Sequence, residues 1–141
     1  MMMRSNSEIA AQIYQSTWWS IELPASWTHR IEQECVSFRN EPPLGILQVS
    51  AARNPSGPAT LQDLVDFATD ANKPVRNFQT LTSTKHSGIL TEYFSEDLFW
   101  CEWWLKSGAS VVYLTYHVLA TQHGAEFEQV RRIVGSLSIR E

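Results

Sequence analysis

The chain predicts an α+β domain: a largely antiparallel twisted sheet of six or seven strands carrying two main helices. Three observations lead there. Residues 98–119, LFWCEWWLKSGASVVYLTYHVL, alternate strictly on both sides of a turn at Ser107-Gly108-Ala109, which is the pattern of a two-faced hairpin. Two other stretches repeat apolar residues at helical spacing instead. The remaining strand-like runs follow one another through short turns, as antiparallel neighbours do.

Taken in order, residues 1–16 form an N-terminal segment in which Ile9 and Ile13 stand one turn apart, so a short helix is expected over 5–16. Residues 17–141 form the single α+β domain. Trp18 to Leu23 alternates, with Trp19, Ile21 and Leu23 opposed to Trp18, Ser20 and Glu22. Pro24-Ala25-Ser26 turns the chain. Cys35 to Arg39 is a short strand closed by Asn40-Glu41-Pro42-Pro43, and Gly45 to Ala52 is another. Asn54-Pro55-Ser56-Gly57-Pro58 is a loop. Thr60 then caps a helix, with Asp63 three residues on as the reciprocal partner of a capping box. Leu61, Leu64, Val65, Ala68 and Ala71 give that helix its apolar face, and it ends before Pro74. Phe78 to Thr82 and Gly88 to Ser95 are two further strands, or one long bent strand with a turn at Lys85-His86-Ser87. After the hairpin, Phe127, Val130, Ile133, Val134 and Leu137 form the stripe of a C-terminal helix.

The hairpin separates its residues by face. Phe99, Cys101, Trp103 and Leu105 join Val112, Leu114, Tyr116 and Val118 on an apolar side. Trp100, Glu102, Trp104 and Lys106 join Val111, Tyr113, Thr115 and His117 on a side mixing aromatics with charge. In the simplest register Trp18, Ser20, Ile46 and Gln48 belong to the mixed face as well. Such a face is either a second core beneath a helix or a groove for a partner. Trp and Tyr carry much of the energy of protein interfaces, so Trp18, Trp100, Glu102, Trp104, Tyr113 and His117 are the candidate partner-binding residues.

Composition excludes several classes. The net charge is -4, from 11 basic and 15 acidic residues, without the basic stripe a nucleic-acid surface needs. No apolar run approaches the length of a membrane span. The N-terminus lacks the apolar stretch of a secretory signal, so a cytoplasmic protein with reduced Cys35 and Cys101 is expected. Nucleophile-elbow, phosphate-loop and dinucleotide motifs are absent. The four histidines, His29, His86, His117 and His123, lack metal-ligand spacing, so no metal or cofactor is expected. Alternation puts Cys101 and His117 on opposite faces, against a Cys/His dyad. Glu92, Glu96 and Asp97 read as a solvated strand end and turn. Glu102, between Trp100 and Trp104, is placed where a carboxylate is partly desolvated, or paired across strands with Lys106, His117 or an Arg.

WWSIELPASW resembles the strand–Leu-Pro-x-x-Trp opening of small domains with the PsbP-like fold. That fold is shared by the P subunit of the photosynthetic oxygen-evolving complex and a Ran-binding nuclear import factor. The Pro/Gly loop before TLQDLVDFA, the following meander and the terminal VRRIVGSLSI match the same layout, over roughly residues 17–140. The resemblance implies an αβα sandwich and looks closest to small bacterial intracellular members, some similar to chaperones of secreted effectors and others to immunity proteins. The family has no shared catalytic residues, so none is carried over. The chain departs from many members in its aromatic 98–106 strand and in lacking a lipoprotein-type signal. The expected function is therefore a non-catalytic protein-binding module: an effector-associated chaperone, an immunity-like protein or an adaptor. A homodimer remains open. The competing classes are a small hydrolase using Glu102 and His117, and a small-ligand carrier with an aromatic pocket. An open groove favours the first class; Glu102 and His117 in hydrogen-bond reach inside a closed pocket favours the hydrolase.

Overall fold

The computed structural model describes residues 11–69, 77–82 and 85–140, which fold into two antiparallel sheets and two helices. The larger sheet holds β3 (Trp27–Ile31), β4 (Val36–Asn40), β5 (Ile46–Arg53), β6 (Gln79–Thr82), β7 (Ser87–Ser95), β8 (Leu98–Ser107) and β9 (Ser110–Leu119), in the order β3-β4-β5-β9-β8-β7-β6. The smaller holds β1 (Gln12–Gln15), β2 (Trp19–Leu23) and β10 (Ser138–Ile139), ordered β1-β2-β10. Helix α1 spans Leu61–Thr69 and α2 spans Phe127–Gly135.

The seven-stranded antiparallel sheet and both helices agree with expectation. Four elements differ. Residues 12–15, read as part of a helix, are a strand, because Gln12–Gln15 pair with Leu23–Ser20 and cross-strand bonding outweighs a weak helical period; residues 5–10 of that expected helix lie outside the described residues. Strand β2 belongs to the small sheet, not the large one. Strand β3 was not expected: it is an edge strand whose Thr28, His29, Arg30 and Ile31 are all exposed, so its polar sequence carries no core signal. The two-residue β10 is too short to announce itself. Residues 70–73, which the expected first helix also included, lie outside the described residues.

The main core lies on the apolar face of the large sheet. Phe38, Leu47 and Val49 join Phe99, Cys101, Trp103 and Leu105 of β8 and Val112, Leu114, Tyr116 and Val118 of β9. Covering them are Trp19, Ile21 and Leu23 of β2 and Val130, Ile133 and Val134 of α2. Leu137 lies past the end of α2 but is still fully buried. The β8–β9 turn leaves only Gly108 and Ala109 between the paired Ser107 and Ser110. Gly108 has φ 59°, the left-handed first position that hairpin turns with glycine use.

A buried carboxylate fastens α2 to the sheet. Glu126, just before the helix, accepts hydrogen bonds on Oε1 from the Tyr116 hydroxyl at 2.8 Å and from the Gly45 amide at 2.9 Å. Gly45 is needed there, since a Cβ would meet the His117 carbonyl oxygen at 2.6 Å and the Tyr116 ring at 2.7 Å. Burial, then the bond to Glu126, push the Tyr116 phenol well above its ordinary value, so it stays a donor. Helix α1 begins with the expected reciprocal cap: the Asp63 amide donates to Thr60 Oγ1 at 3.0 Å and the Thr60 amide to Asp63 Oδ2 at 2.9 Å.

Glu126→Ala should destabilise the domain by about 3 kcal/mol, because it strands two buried donors. Tyr116→Phe should cost about 1 kcal/mol. Urea midpoints measure both, and equal losses would contradict the shared-acceptor role. The β7–β8 turn offers an opposite test. Its two-residue loop starts at Glu96, which has φ 57° where glycine is at ease. Glu96→Gly should therefore raise stability by about 1 kcal/mol, and an unchanged or lower midpoint would speak against strain at this turn.

Candidate functional site

The second face of the large sheet is built in rows. Strand pairing aligns Arg30, Ser37, Gln48, Thr115, Glu102 and Thr91 across six adjacent strands, a polar row through the middle of the face. Ser37, Thr115, Glu102 and Thr91 are buried. Burying such groups is unfavourable unless they are hydrogen-bonded. Ser37 donates to the Glu32 carboxylate and accepts from the Gln48 side-chain amide at 3.4 Å. Tyr93 donates its hydroxyl to Glu102 Oε2 at 2.6 Å, which fixes a carboxylate only 1% exposed.

Aromatic rows flank the polar one, because side chains two residues along each strand share its face. On one side His117, Trp100 and Tyr93 follow one another across β9, β8 and β7, with ring centroids 4.5 Å and 6.3 Å apart. On the other, Trp104 packs at 5.0 Å against Tyr113 and edge-on at 5.8 Å against Phe78.

Helix α1 covers only this second side. Leu64 and Ala68, with Ala59, pack on Ile89, Trp104 and Val111 to make a second core. Past the helix no described element packs over the face. A cavity of about 760 Å³ lies over it, with Gln48, Ser50, Thr115, Glu102, Trp100, Tyr93 and Tyr113 among its walls and Phe94, Glu96 and Leu98 of the β7–β8 turn region at one end. A second cavity of about 680 Å³ runs beside α1 along Arg53, Phe67 and Val111 and shares Ser50 and Tyr113 with the first.

The six expected site residues are thus divided. Trp100, Glu102 and Tyr113 meet at the first cavity. Trp104 is 5% exposed and belongs to the α1 core. Trp18 is not on this face, because β2 lies in the small sheet. It is 37% exposed, with the Arg53 guanidinium 4.6 Å above its ring. Ser20 leaves the group for the same reason, pairing with Gln15 and Ser138. His117 stacks on Trp100 and does not line the cavity; its Nδ1 is buried with no hydrogen-bond partner among the described residues. It is in register with Trp100, whereas Glu102 is in register with Thr115, and no hydrogen bond joins the two. Cys101 is paired with Tyr116 on the opposite face, and burial pushes its thiol up strongly. Both cysteines are free thiols.

Tyr93 is the site residue that sequence reasoning missed. The 88–95 alternation shows its face, but only the register with β8 sets it beside Trp100 and Glu102. Among the described residues no cluster of His, Cys, Asp and Glu fits a metal, and no helix is long and apolar enough to cross a membrane.

Burial, then the nearby Arg39 charge, hold the His117 imidazole below its ordinary value. The folded form prefers the neutral ring, so the unfolded chain binds its proton first as pH falls. The stability due to His117 is complete above the unfolded value of about 6.5 and is lost from there toward the depressed folded value. His117→Gln should flatten the decline in urea midpoint between about pH 6.5 and 5. His86, depressed by burial and then by Lys85, retains its own slope in the variant. Identical profiles for both proteins would exclude His117 as a source of the acid sensitivity.

No protein-family model matches this chain, and no curated protein sequence does either. Solved structures do. A crystal structure from Bacteroides thetaiotaomicron aligns with a TM-score of 0.71 at 15% identity, covering 94% of this chain and 49% of that one. The chain thus spans about half the length of that protein. The solution structure of cyanobacterial PsbP (CyanoP) from Synechocystis aligns with a TM-score of 0.66 at 14% identity, covering 92% of each chain. At these identities the likeness is one of fold, and it bears out the fold read from the WWSIELPASW opening: the chain has the PsbP-like fold.

Proposed function

We propose that this protein is a non-catalytic binding module that holds a segment of a protein partner in the cavity over Trp100, Glu102 and Tyr113. One observation carries the reading: α1 seals the Trp104 half of the aromatic face into core, while among the described residues nothing seals the Trp100 half, over which a cavity lies. A half-exposed aromatic floor with fixed polar groups suits an interface anchor, since buried aromatic contacts dominate binding energy while polar groups set register. Within this reading the protein acts in the cytoplasm as an effector-associated chaperone, an immunity-like protein or an adaptor. The hydrolase reading gains nothing from the geometry, because Glu102 bonds to Tyr93 and His117 lies one row away.

A second reading has one observation in its favour. A cavity of about 760 Å³ with a few convergent polar groups is of a size that holds a small organic ligand. The two readings differ in what the site takes up.

The test combines two tryptophans with a random-peptide selection on the folded domain. Trp100→Ala should weaken the selected peptides by about 2 kcal/mol and leave the fold nearly unchanged. Trp104→Ala should instead destabilise the domain by about 3–5 kcal/mol. Calorimetric melts and peptide titrations measure the pair. A selection yielding no Trp100-dependent peptide, beside small-molecule hits that Trp100→Ala abolishes, would favour the ligand carrier.

A further inference from the structure

We infer that the partner binds as an added β-strand along the edge of β5 at Ala51–Arg53, with an apolar side chain in the cavity beside α1 and an acidic one against Arg53; the inference rests on reading the protein as a peptide-binding module. The sheet itself points there. β5 runs to Arg53, but β4 pairs only with its Leu47–Val49 part. The Asn54 amide donates to the Ala109 carbonyl at 2.7 Å, continuing the register that pairs Arg53 with Ser110. In an antiparallel ladder alternate residues bond to the same neighbour. Asn54, Ala52 and Ser50 thus direct their backbone groups to β9, and Ala51 and Arg53 direct theirs outward. Leu47 and Val49, in that outward phase, are the residues opposite Phe38 and Val36 of β4. Among the described residues no group bonds to the outward amides and carbonyls of Ala51 and Arg53. Ala51, Ala52 and Arg53 are all exposed. Strand edges of this kind take up an extended peptide through main-chain hydrogen bonds, while flanking pockets read its alternate side chains.

The two flanks of this edge differ in chemistry. A strand beside β5 alternates its side chains as β5 does. The residue level with Ala52 lies on the α1 side, because Ala52 pairs with Val111 of the second core. There the cavity of about 680 Å³ is walled by Ala52, Pro55, Phe67, Ala68 and Val111. Phe67 of α1 is 47% exposed, and an apolar side chain in the cavity would cover it. The residue level with Arg53 lies on the opposite face. There the Arg53 guanidinium uses one of its N–H donors on Ser110 Oγ at 3.1 Å and rests over the Trp18 ring at 4.6 Å. Among the described residues no carboxylate pairs with it. A partner Asp or Glu there accepts charge-assisted bonds from the remaining donors. Edge, cavity and cation converge on one occupant: an extended segment with an apolar residue next to an acidic one. The site adjoins the Trp100 cavity, since both cavities include Ser50.

The experiment selects a random nonapeptide library on the folded chain, then methylates the backbone amides of an enriched peptide one at a time. Titration should show losses of about tenfold at every second position and little between, since only alternate amides face β5. Ala51→Pro removes an outward N–H and no bond to β9. It should weaken the same peptide about tenfold and leave the urea midpoint nearly unchanged. Enriched peptides should carry Asp or Glu next to an apolar residue. Replacing that acid by Asn or Gln should weaken binding about threefold, and Arg53→Gln should abolish the difference. Should Ala51→Pro not fold, the methylation scan on the wild type decides alone. Losses without alternation would overturn strand addition, and if those peptides weaken with Trp100→Ala the binding module stands. Alternating losses in peptides indifferent to Trp100→Ala would uphold strand addition and remove the Trp100 cavity from the reading. A selection that enriches no peptide would overturn both.

Discussion

The antiparallel pairing of β8 with β9 is the constraint on which the rest depends. It runs unbroken from Leu98↔Leu119 to Ser107↔Ser110. Because a strand alternates its side chains, this one register sorts two chemistries at once. Phe99, Cys101, Trp103 and Leu105 go to the main core, while Trp100, Glu102 and Trp104 go to the other face. A slip of one residue would bury Glu102 and Lys106 in that core and expose the apolar set. The small sheet, α2 and α1 all dock on surfaces this pairing creates.

The two faces are closed in different ways. On the apolar side, β2 and α2 complete a continuous core, and Glu126 ties the start of α2 to Tyr116 and Gly45. Placing an acceptor there satisfies a phenol and an amide that would otherwise be buried unpaired. On the mixed side, α1 reaches only the Trp104 end. The described part of α1, Leu61–Thr69, is about 13 Å long, shorter than the span of the six strands that carry the polar row. The cavity lies over the rest of the face.

The polar row also explains why that half is not simply core. Ser37, Thr115, Glu102 and Thr91 are buried yet aligned, and apolar side chains at those positions would pack more favourably against a helix. Hydrogen bonds to neighbouring groups, Ser37 with Glu32 and Gln48 and Tyr93 to Glu102, offset the burial. A sheet surface that keeps fixed polar groups between aromatic rows is suited to recognition. This connects the β8 alternation, a local property, to the proposed use of the face.

What the sequence determined by itself is what local periodicity controls. The period-2 runs placed the long strands, the 3.6-residue period and the Thr60–Asp63 cap placed α1, and the stripe from Phe127 placed α2, while WWSIELPASW pointed to the PsbP-like fold that the structure comparisons bear out. Alternation also put Trp100, Glu102, Trp104 and Tyr113 on one face. Pairing between distant segments was not legible. Trp18 was grouped with that face because alternation says nothing of which sheet a strand joins, and hydrogen bonding sent β2 to β1 and β10. Edge strand β3 was hidden by its exposed polar residues, and Tyr93 by a register that exists only once β7 meets β8. Which part of the mixed face becomes core was decided by where α1 lands. That depends on the packing of Leu64 and Ala68 against Ile89 and Trp104, a contact between residues far apart in the chain that no local pattern encodes.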